Sequence, residues 1–271
     1  KYKLLSDYAL WGCIVIGVLS GLLGAYRVKM ISMPQTVALL NGFGGAASAI
    51  VAFISLLEGQ TNSLFSYITG GIALSVGAVT LTGSLVATGK LQGLLAQKPV
   101  VWKKHSLILT ASLFITVVSI FAVAITARTE FFLPLMILIC LSASGFFGAA
   151  FTVRVGGADM PITISLLNSL SGVAGAIAGM VVSDPLLITI GGVVGASGLL
   201  LTQIMCKAMN RSLKDILLGK STVSLSAASG GYPDSKAESN YFLHSGEEKP
   251  ENISPTKDPA AILSEAKKVI I

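Results

Sequence analysis

The sequence contains seven apolar runs, each long enough to cross a lipid bilayer as a helix. A spanning helix needs about 20 mostly apolar residues, and a helix satisfies its own backbone hydrogen bonds in lipid. Only 12% of the residues are charged, whereas 53% are hydrophobic. We therefore predict an all-α fold, a polytopic transmembrane helix bundle. The seven predicted helices cover about 8–26, 35–57, 66–88, 106–126, 132–153, 161–182 and 186–206.

Segments 33–41 and 160–168 are two versions of one pattern, because each starts with Met-Pro and ends with asparagine. Glycines at 70, 71 and 77 recur at 191, 192 and 198 in the last predicted helix. Helices one to three therefore resemble helices five to seven. A shift of four helices preserves direction, so the repeat is parallel, with a pseudo-two-fold axis along the membrane normal.

Two asparagines, Asn41 and Asn168, follow the repeated prolines by seven residues, which places them roughly 10 Å inside their helices. At that depth an asparagine needs a hydrogen-bond partner or a wet cavity. Each belongs to a face of small and polar residues, which suits either close helix packing or the lining of a polar path. Thr80, Ser84 and Thr88 add a hydroxyl stripe that favours the path.

Basic residues gather at one set of helix ends, which the positive-inside rule assigns to the cytoplasm or an organelle matrix. Asp159 is the one acid on this side before residue 212, and it directly precedes the second repeat. As a helix N-cap it would be ordinary. Its isolation among cations favours a second role. The basic residues of this side are Arg27, Lys29, Lys90, Lys98, Lys103, Lys104, Arg154, Lys207 and Arg211.

The sequence offers no metal site. Cys13, Cys140 and Cys206 lie in or beside apolar runs and are predicted to be small buried hydrophobes. His105 and His244 lie outside the runs and far apart, so no His/Cys cluster is expected. Because His105 follows two lysines, we predict that it is a solvated loop residue.

After Arg211 the composition changes. Residues 221–257 are rich in Ser, Gly, Pro, Lys and Glu, which predicts a flexible linker on the inner side. The chain then ends in a short capped helix and a segment typical of the start of a strand. A strand needs a sheet, so we expect a further soluble domain to follow. The predicted units are a transmembrane domain at 1–212, a linker at 213–262 and the start of that domain at 263–271.

Five longer motifs are specific enough to indicate a family. They are Gly156-Gly157-Ala158-Asp159-Met160-Pro161, Leu167-Asn168-Ser169, Thr82-Gly83-Ser84, Gly89-Lys90-Leu91-Gln92-Gly93 and Cys206-Lys207-Ala208-Met209-Asn210-Arg211-Ser212. Together they closely resemble proton-translocating nicotinamide nucleotide transhydrogenase. The resemblance is to the membrane domain of its beta subunit, or the equivalent part of a fused chain, and covers nearly all of residues 1–212.

This resemblance implies that hydride passes from NADH to NADP⁺ between soluble domains outside this chain, driven by inward proton movement through the membrane domain. No catalytic residue for hydride transfer falls in this chain. The positions matching the proton path are Asn41, Ser84 and Asn168, and those matching the face that couples to the NADP(H) domain are Asp159 and Arg211. Many family members carry histidine in place of Asn41. Asparagine does not titrate near pH 7, so we expect the ionisable group on a helix outside this chain.

The resemblance also implies partners and a location. The partners are an NAD(H)-binding domain or alpha subunit, an NADP(H)-binding domain after the linker, membrane lipid and a second copy in a homodimeric enzyme, with no nucleic acid. The membrane is a bacterial plasma membrane or a mitochondrial-type inner membrane. From the residues alone, two other functions stay open: a secondary transporter for a small solute, which the parallel repeat suggests, and a membrane anchor for a soluble enzyme.

Overall fold

A computed structural model describes residues 8–58, 63–126 and 131–210, together with Ser212, Leu213 and Ile216. Seven long helices in these ranges are apolar enough to cross a membrane. They are α1 (Tyr8–Arg27), α2 (Met33–Glu58), α3 (Leu64–Leu91), α4 (His105–Thr126), α5 (Leu133–Arg154), α6 (Met160–Val181) and α7 (Pro185–Ala208). The predicted all-α transmembrane fold is confirmed, and each helix end lies within three residues of its prediction.

Helices α3 and α6 form the centre of the bundle. Helix α3 contacts α2, α4, α5 and α6, while α6 contacts α2, α3 and α7. More than half of the residues of each central helix are buried, whereas α1 has no buried residue. Polar side chains on α3 and α6 are therefore shielded from lipid.

Close crossings at glycines join α2 to α3 and α6 to α7. A Cβ atom on Gly45 would lie 2.7 Å from Thr80 Cβ and 2.8 Å from the Gly77 carbonyl oxygen. A Cβ atom on Gly172 would lie only 2.5 Å from the backbone nitrogen of Gly195. Without a side chain, each glycine lets the two backbones approach directly. Gly45 and Gly172 are equivalent positions of the repeat, so both helix pairs use the same device.

The cysteines divide by helix. Cys140 and Cys206 are buried, as predicted, but Cys13 is exposed. The prediction was wrong for Cys13 because α1 buries none of its residues.

Only the first residues of the predicted linker are described. Leu213 and Ile216 pack with Cys206 of α7 and Ile162 of α6. The other residues of the predicted linker, and the predicted domain start at 263–271, lie outside the described residues. The chain after α7 thus begins against the first turn of α6.

Candidate functional site

The three residues predicted for a polar path lie close to one another where α2, α3 and α6 meet. The Asn41 amide donates a hydrogen bond to the Ile164 carbonyl oxygen at 3.4 Å, and Asn168 lies one helical turn further along α6. A Cβ atom on Gly42 would lie 3.1 Å from Ser84 Cβ, so Ser84 adjoins the residue that follows Asn41. The structure thus brings α2, α3 and α6 together at these side chains.

Two of these polar groups have no protein partner in the described part of the chain. Ser84 is fully buried, yet its hydroxyl makes no hydrogen bond to any described residue. The half-buried side chain of Asn168 likewise makes no such bond, since only its backbone oxygen accepts one, from Ser171 Oγ. Leaving a buried polar group unsatisfied costs about 1–3 kcal/mol, so Ser84 above all would be stabilised by a further hydrogen bond.

Asp159 is buried at the start of α6, with 4% of its surface exposed. It occupies the N-cap position, but its side chain makes no capping hydrogen bond to α6. Asp184 shows the difference at the start of α7, because its carboxylate accepts from Leu186 N at 2.9 Å and Leu187 N at 3.3 Å. Helix capping does not account for this aspartate.

Lys90 is a buried cation that the sequence did not reveal. It is 1% exposed, and its ammonium donates hydrogen bonds to the carbonyl oxygens of Val153 and, at 2.8 Å, Val155. These carbonyls lie at the C-terminal end of α5, where unpaired carbonyls carry partial negative charge. Lys90 thereby ties the end of α3, the helix of Ser84, to the segment that leads into Asp159. A lysine between Gly89 and Leu91, at the end of an apolar run, gives no sign of burial in the sequence.

The prediction for His105 was wrong. This histidine is the first residue of α4 and is only 2% exposed. Its Nε2 lies 3.1 Å from the Ala150 carbonyl oxygen of α5, and its Nδ1 accepts a 3.4 Å hydrogen bond from Trp102 N. The ring packs between α4 and α5. This burial depends on tertiary packing, whereas the two preceding lysines made the residue look like part of an exposed loop.

The Gly156-Gly157 turn before Asp159 is occupied by the chain itself. Gly157 N donates to the Gln97 carbonyl oxygen at 3.0 Å, and a Cβ on Gly156 would lie 3.1 Å from Pro99 Cγ. Asp159 N donates to the Gly156 carbonyl oxygen at 3.1 Å. These N–H groups are already used, so this turn does not fit a nucleotide phosphate.

Of the predicted site residues, Arg211 lies outside the described residues. Arg154, the described cation nearest in sequence to Asp159, has a buried Nη1 atom that makes no hydrogen bond with any described residue.

Comparison with known proteins assigns this architecture to a family. The family model of the NAD(P) transhydrogenase beta subunit matches residues 2–271. The chain belongs to that family. The NAD(P) transhydrogenase subunit beta of Rhodospirillum rubrum is 35% identical over 268 residues, which cover 95% of this chain and 54% of the relative. A second sequence from a strain of the same species gives the same figures. The chain therefore spans about half the length of the curated relatives it matches.

Family membership confirms the resemblance that the five motifs indicated. It does not favour the solute transporter or the membrane anchor, which the helical repeat had left open.

Proposed function

We propose that this chain is the membrane proton-translocating part of a transhydrogenase and couples inward proton movement to hydride transfer from NADH to NADP⁺. The observation that carries the proposal is the juxtaposition of Asn41, Ser84 and Asn168 inside the bundle of a chain from this family. Two of these three groups have hydrogen-bonding capacity that no described residue uses, and such groups can bind the water molecules that a proton relay needs.

In this proposal Asn41, Ser84 and Asn168 bind and orient water along the path. Amide and hydroxyl groups both donate and accept hydrogen bonds, but neither titrates near pH 7. They therefore position a proton carrier and do not hold the proton themselves. The ionisable group of the path belongs to a helix outside this chain.

Asp159 and Arg211 are proposed to couple the path to the NADP(H)-binding domain. A buried carboxylate stays ionised only with a cation or several hydrogen-bond donors beside it. When a docked domain that carries a charged group moves toward or away from Asp159, the electrostatic interactions of this carboxylate change. Asp159 begins α6, the helix of Asn168, so a change of charge at Asp159 acts on the helix that lines the path.

Both nucleotides are proposed to bind outside the described residues. The occupied Gly156-Gly157 turn supports this assignment, because its N–H groups already have partners in the chain. NAD(H) is assigned to a separate domain or alpha subunit, and NADP(H) to a domain that follows the linker. The complete enzyme is proposed to be a homodimer of such assemblies.

The seven apolar helices and the family indicate an integral membrane protein. We place it in a bacterial plasma membrane or a mitochondrial-type inner membrane. The basic helix ends support our proposal that the 92–104 segment and the linker lie on the cytoplasmic or matrix side. Protease cleavage of these two segments from opposite sides of sealed vesicles would contradict this topology.

The experiment compares Asp159→Asn with Asp184→Asn in the complete enzyme, reconstituted in sealed vesicles. Asparagine has nearly the same size and shape as aspartate, and at position 184 it also serves as an N-cap about as well, so both variants should fold. We expect Asp159→Asn to lower proton uptake linked to NADP⁺ reduction at least tenfold, while Asp184→Asn stays near the wild-type value. An unaltered enzyme that takes up no protons during hydride transfer would refute the proposed function. Normal coupling in Asp159→Asn would refute only the role of Asp159.

A further inference from the structure

A groove of about 620 Å³ runs between α4 and α5, away from the candidate proton path. We call it the α4–α5 groove. Such a volume is in the range of sites that bind small molecules. Its walls include Ile108, Ala111 and Ile115 of α4, and Leu138, Ile139 and Phe146 of α5. Most of these side chains are exposed at the outer surface of the bundle, where a membrane protein meets lipid.

The hydroxyls in the groove are directed back to their own helices. Ser112 Oγ donates to the Leu109 carbonyl oxygen at 3.0 Å, and Ser142 Oγ donates to the Leu138 carbonyl oxygen at 2.7 Å. Their hydrogen-bonding capacity is thus satisfied inside the helices. The groove presents a hydrocarbon wall, which suits an acyl chain and not a polar solute.

Aromatic side chains contact the Phe146 end of the groove. Trp102 stacks on the groove residue Phe146, with ring centroids 6.5 Å apart and planes at 19°. His105 joins α4 to α5 through Ala150, and its ring centroid lies 5.0 Å from that of Trp102. Trp102 is 40% exposed, as is typical of indoles at the headgroup level. These contacts join Trp102 and His105 to the Phe146 end of the groove, and we expect this end to lie near a membrane surface.

Two exposed lysines stand at this end. Lys103 follows Trp102, and the Lys104 carbonyl oxygen accepts a hydrogen bond from the backbone nitrogen of the groove residue Ile108 at 3.1 Å. Lys104 is thus one turn from the groove wall. Basic residues at the headgroup level attract anionic lipids, and aromatic residues there mark the boundary between headgroup and chain.

We propose that the α4–α5 groove binds an anionic phospholipid, with one acyl chain in the groove and the phosphate at Lys103 and Lys104. In such a lipid the acyl chain would contact the apolar wall, the glycerol would lie beside Trp102, and the phosphate would lie at the two lysines. This groove is distinct from the candidate proton path, because none of the polar residues at the meeting of α2, α3 and α6 lines it.

The test counts retained lipid by native mass spectrometry of the complete enzyme after exposure to phosphatidylglycerol or phosphatidylcholine with identical chains. The unaltered enzyme should retain phosphatidylglycerol in preference. The double variant Lys103→Gln, Lys104→Gln should weaken that retention about thirtyfold, since each lysine near the headgroups contributes about 1 kcal/mol. Ala111→Trp, which fills the groove, should lower retention of both lipids at least tenfold.

Matched controls are Lys98→Gln, an exposed lysine of the same segment, and Val118→Trp, an exposed α4 residue outside the groove. Both should retain phosphatidylglycerol as the unaltered enzyme does. Equal retention in all variants would overturn the proposal. So would displacement of the lipid by inorganic phosphate alone, which would indicate a phosphate site without a chain. Loss of subunit assembly in Ala111→Trp would show that a protein helix covers the groove, and would also overturn it.

Discussion

The first copy of the repeat opens with the 3₁₀ turn Met30–Ser32, where Ser32 Oγ donates to the Lys29 carbonyl oxygen at 2.8 Å. The second copy opens with the 3₁₀ turn Gly157–Asp159, which is held by Gln97 and buries Asp159. Ser32 and Asp159 are equivalent positions. The same 3₁₀ turn therefore holds, in one copy, a serine whose hydroxyl bonds within the turn, and in the other copy a buried carboxylate.

The ends of the two copies differ as well. The last turn of α3 contains the buried Lys90, whereas the last turn of α7 contains Lys207, which is exposed. The offset that relates the glycines of α3 to those of α7 pairs Lys90 with Arg211. Both copies contain the close helix crossings at Gly45 and Gly172, which we call the shared frame. The polar residues that distinguish the copies lie near one end of the bundle.

The largest expected effect concerns the shared frame. Gly45→Ala and Gly172→Ala should each lower the free energy of unfolding by about 3 kcal/mol, because the new methyl group meets a neighbouring helix whose backbone cannot yield. Equilibrium unfolding in mixed detergent, followed by loss of helicity, measures both. Gly192→Ala is the control: nothing lies within 4 Å of its Cβ position, so helix propensity should stabilise it by up to about 1 kcal/mol. A cost at only one crossing would break the equivalence of the two copies.

The second prediction concerns the two lysines at the helix ends. Lys90→Met keeps most of the apolar stem but removes the ammonium from two backbone carbonyl oxygens. Among the described residues, that of Val155 accepts no other hydrogen bond, whereas that of Val153 also accepts one from Val100 N at 3.3 Å. We expect a loss of about 2 kcal/mol in the free energy of unfolding, the usual contribution of a hydrogen bond to a charged group.

The matched variant Lys207→Met alters an exposed lysine at the corresponding end of α7 and should change the stability by less than about 0.5 kcal/mol. The same detergent unfolding experiment compares the two. Equal effects would mean that the carbonyls of Val153 and Val155 are satisfied by water and that Lys90 does not tie α3 to α5.

The helices and the repeat were predictable because they depend on local pattern. The length of each apolar run predicts a membrane span. The equivalent glycines predict close helix crossings, although they do not indicate which helix is crossed. Lys90 and His105 were not predictable, because each follows the pattern of a basic loop. What buries them is the end of α5, which is brought beside them only by the packing of α3, α4 and α5.

The candidate path was predictable in part. The spacing of Asn41 and Asn168 from their prolines gave their depth, and the hydroxyl stripe indicated Ser84. The sequence could not distinguish a capping Asp159 from a buried one, because the N-cap position is the same in both cases. The hydrogen bond from Asn41 to Ile164 also depends on the approach of α2 to α6, which no pattern within either helix encodes.

The third prediction addresses function in the second copy. Asn168→Leu should lower proton uptake coupled to NADP⁺ reduction at least tenfold, because leucine cannot hold the water that a relay through this position needs. The yield of folded enzyme should fall less than twofold. Ser171→Ala is the control on the same helix, since within the described ranges its hydroxyl bonds only to the Asn168 carbonyl oxygen. Equal losses of folding and coupling in Asn168→Leu would leave this asparagine a packing role only.

The smallest expected effect separates the two asparagines by stability. Asn41→Ala and Asn168→Ala remove the same atoms from half-buried sites, but only Asn41 donates an observed interhelical hydrogen bond in the described part of the chain. Such bonds in membrane proteins contribute about 0.6 kcal/mol, so Asn41→Ala should be the less stable variant by about that amount. Unfolding of both variants in mixed detergent measures the difference. If Asn168→Ala is instead the less stable variant, then Asn168 has a strong hydrogen-bond partner in the folded enzyme. Asn168, and not Asn41, would then be the more strongly hydrogen-bonded asparagine of the repeat.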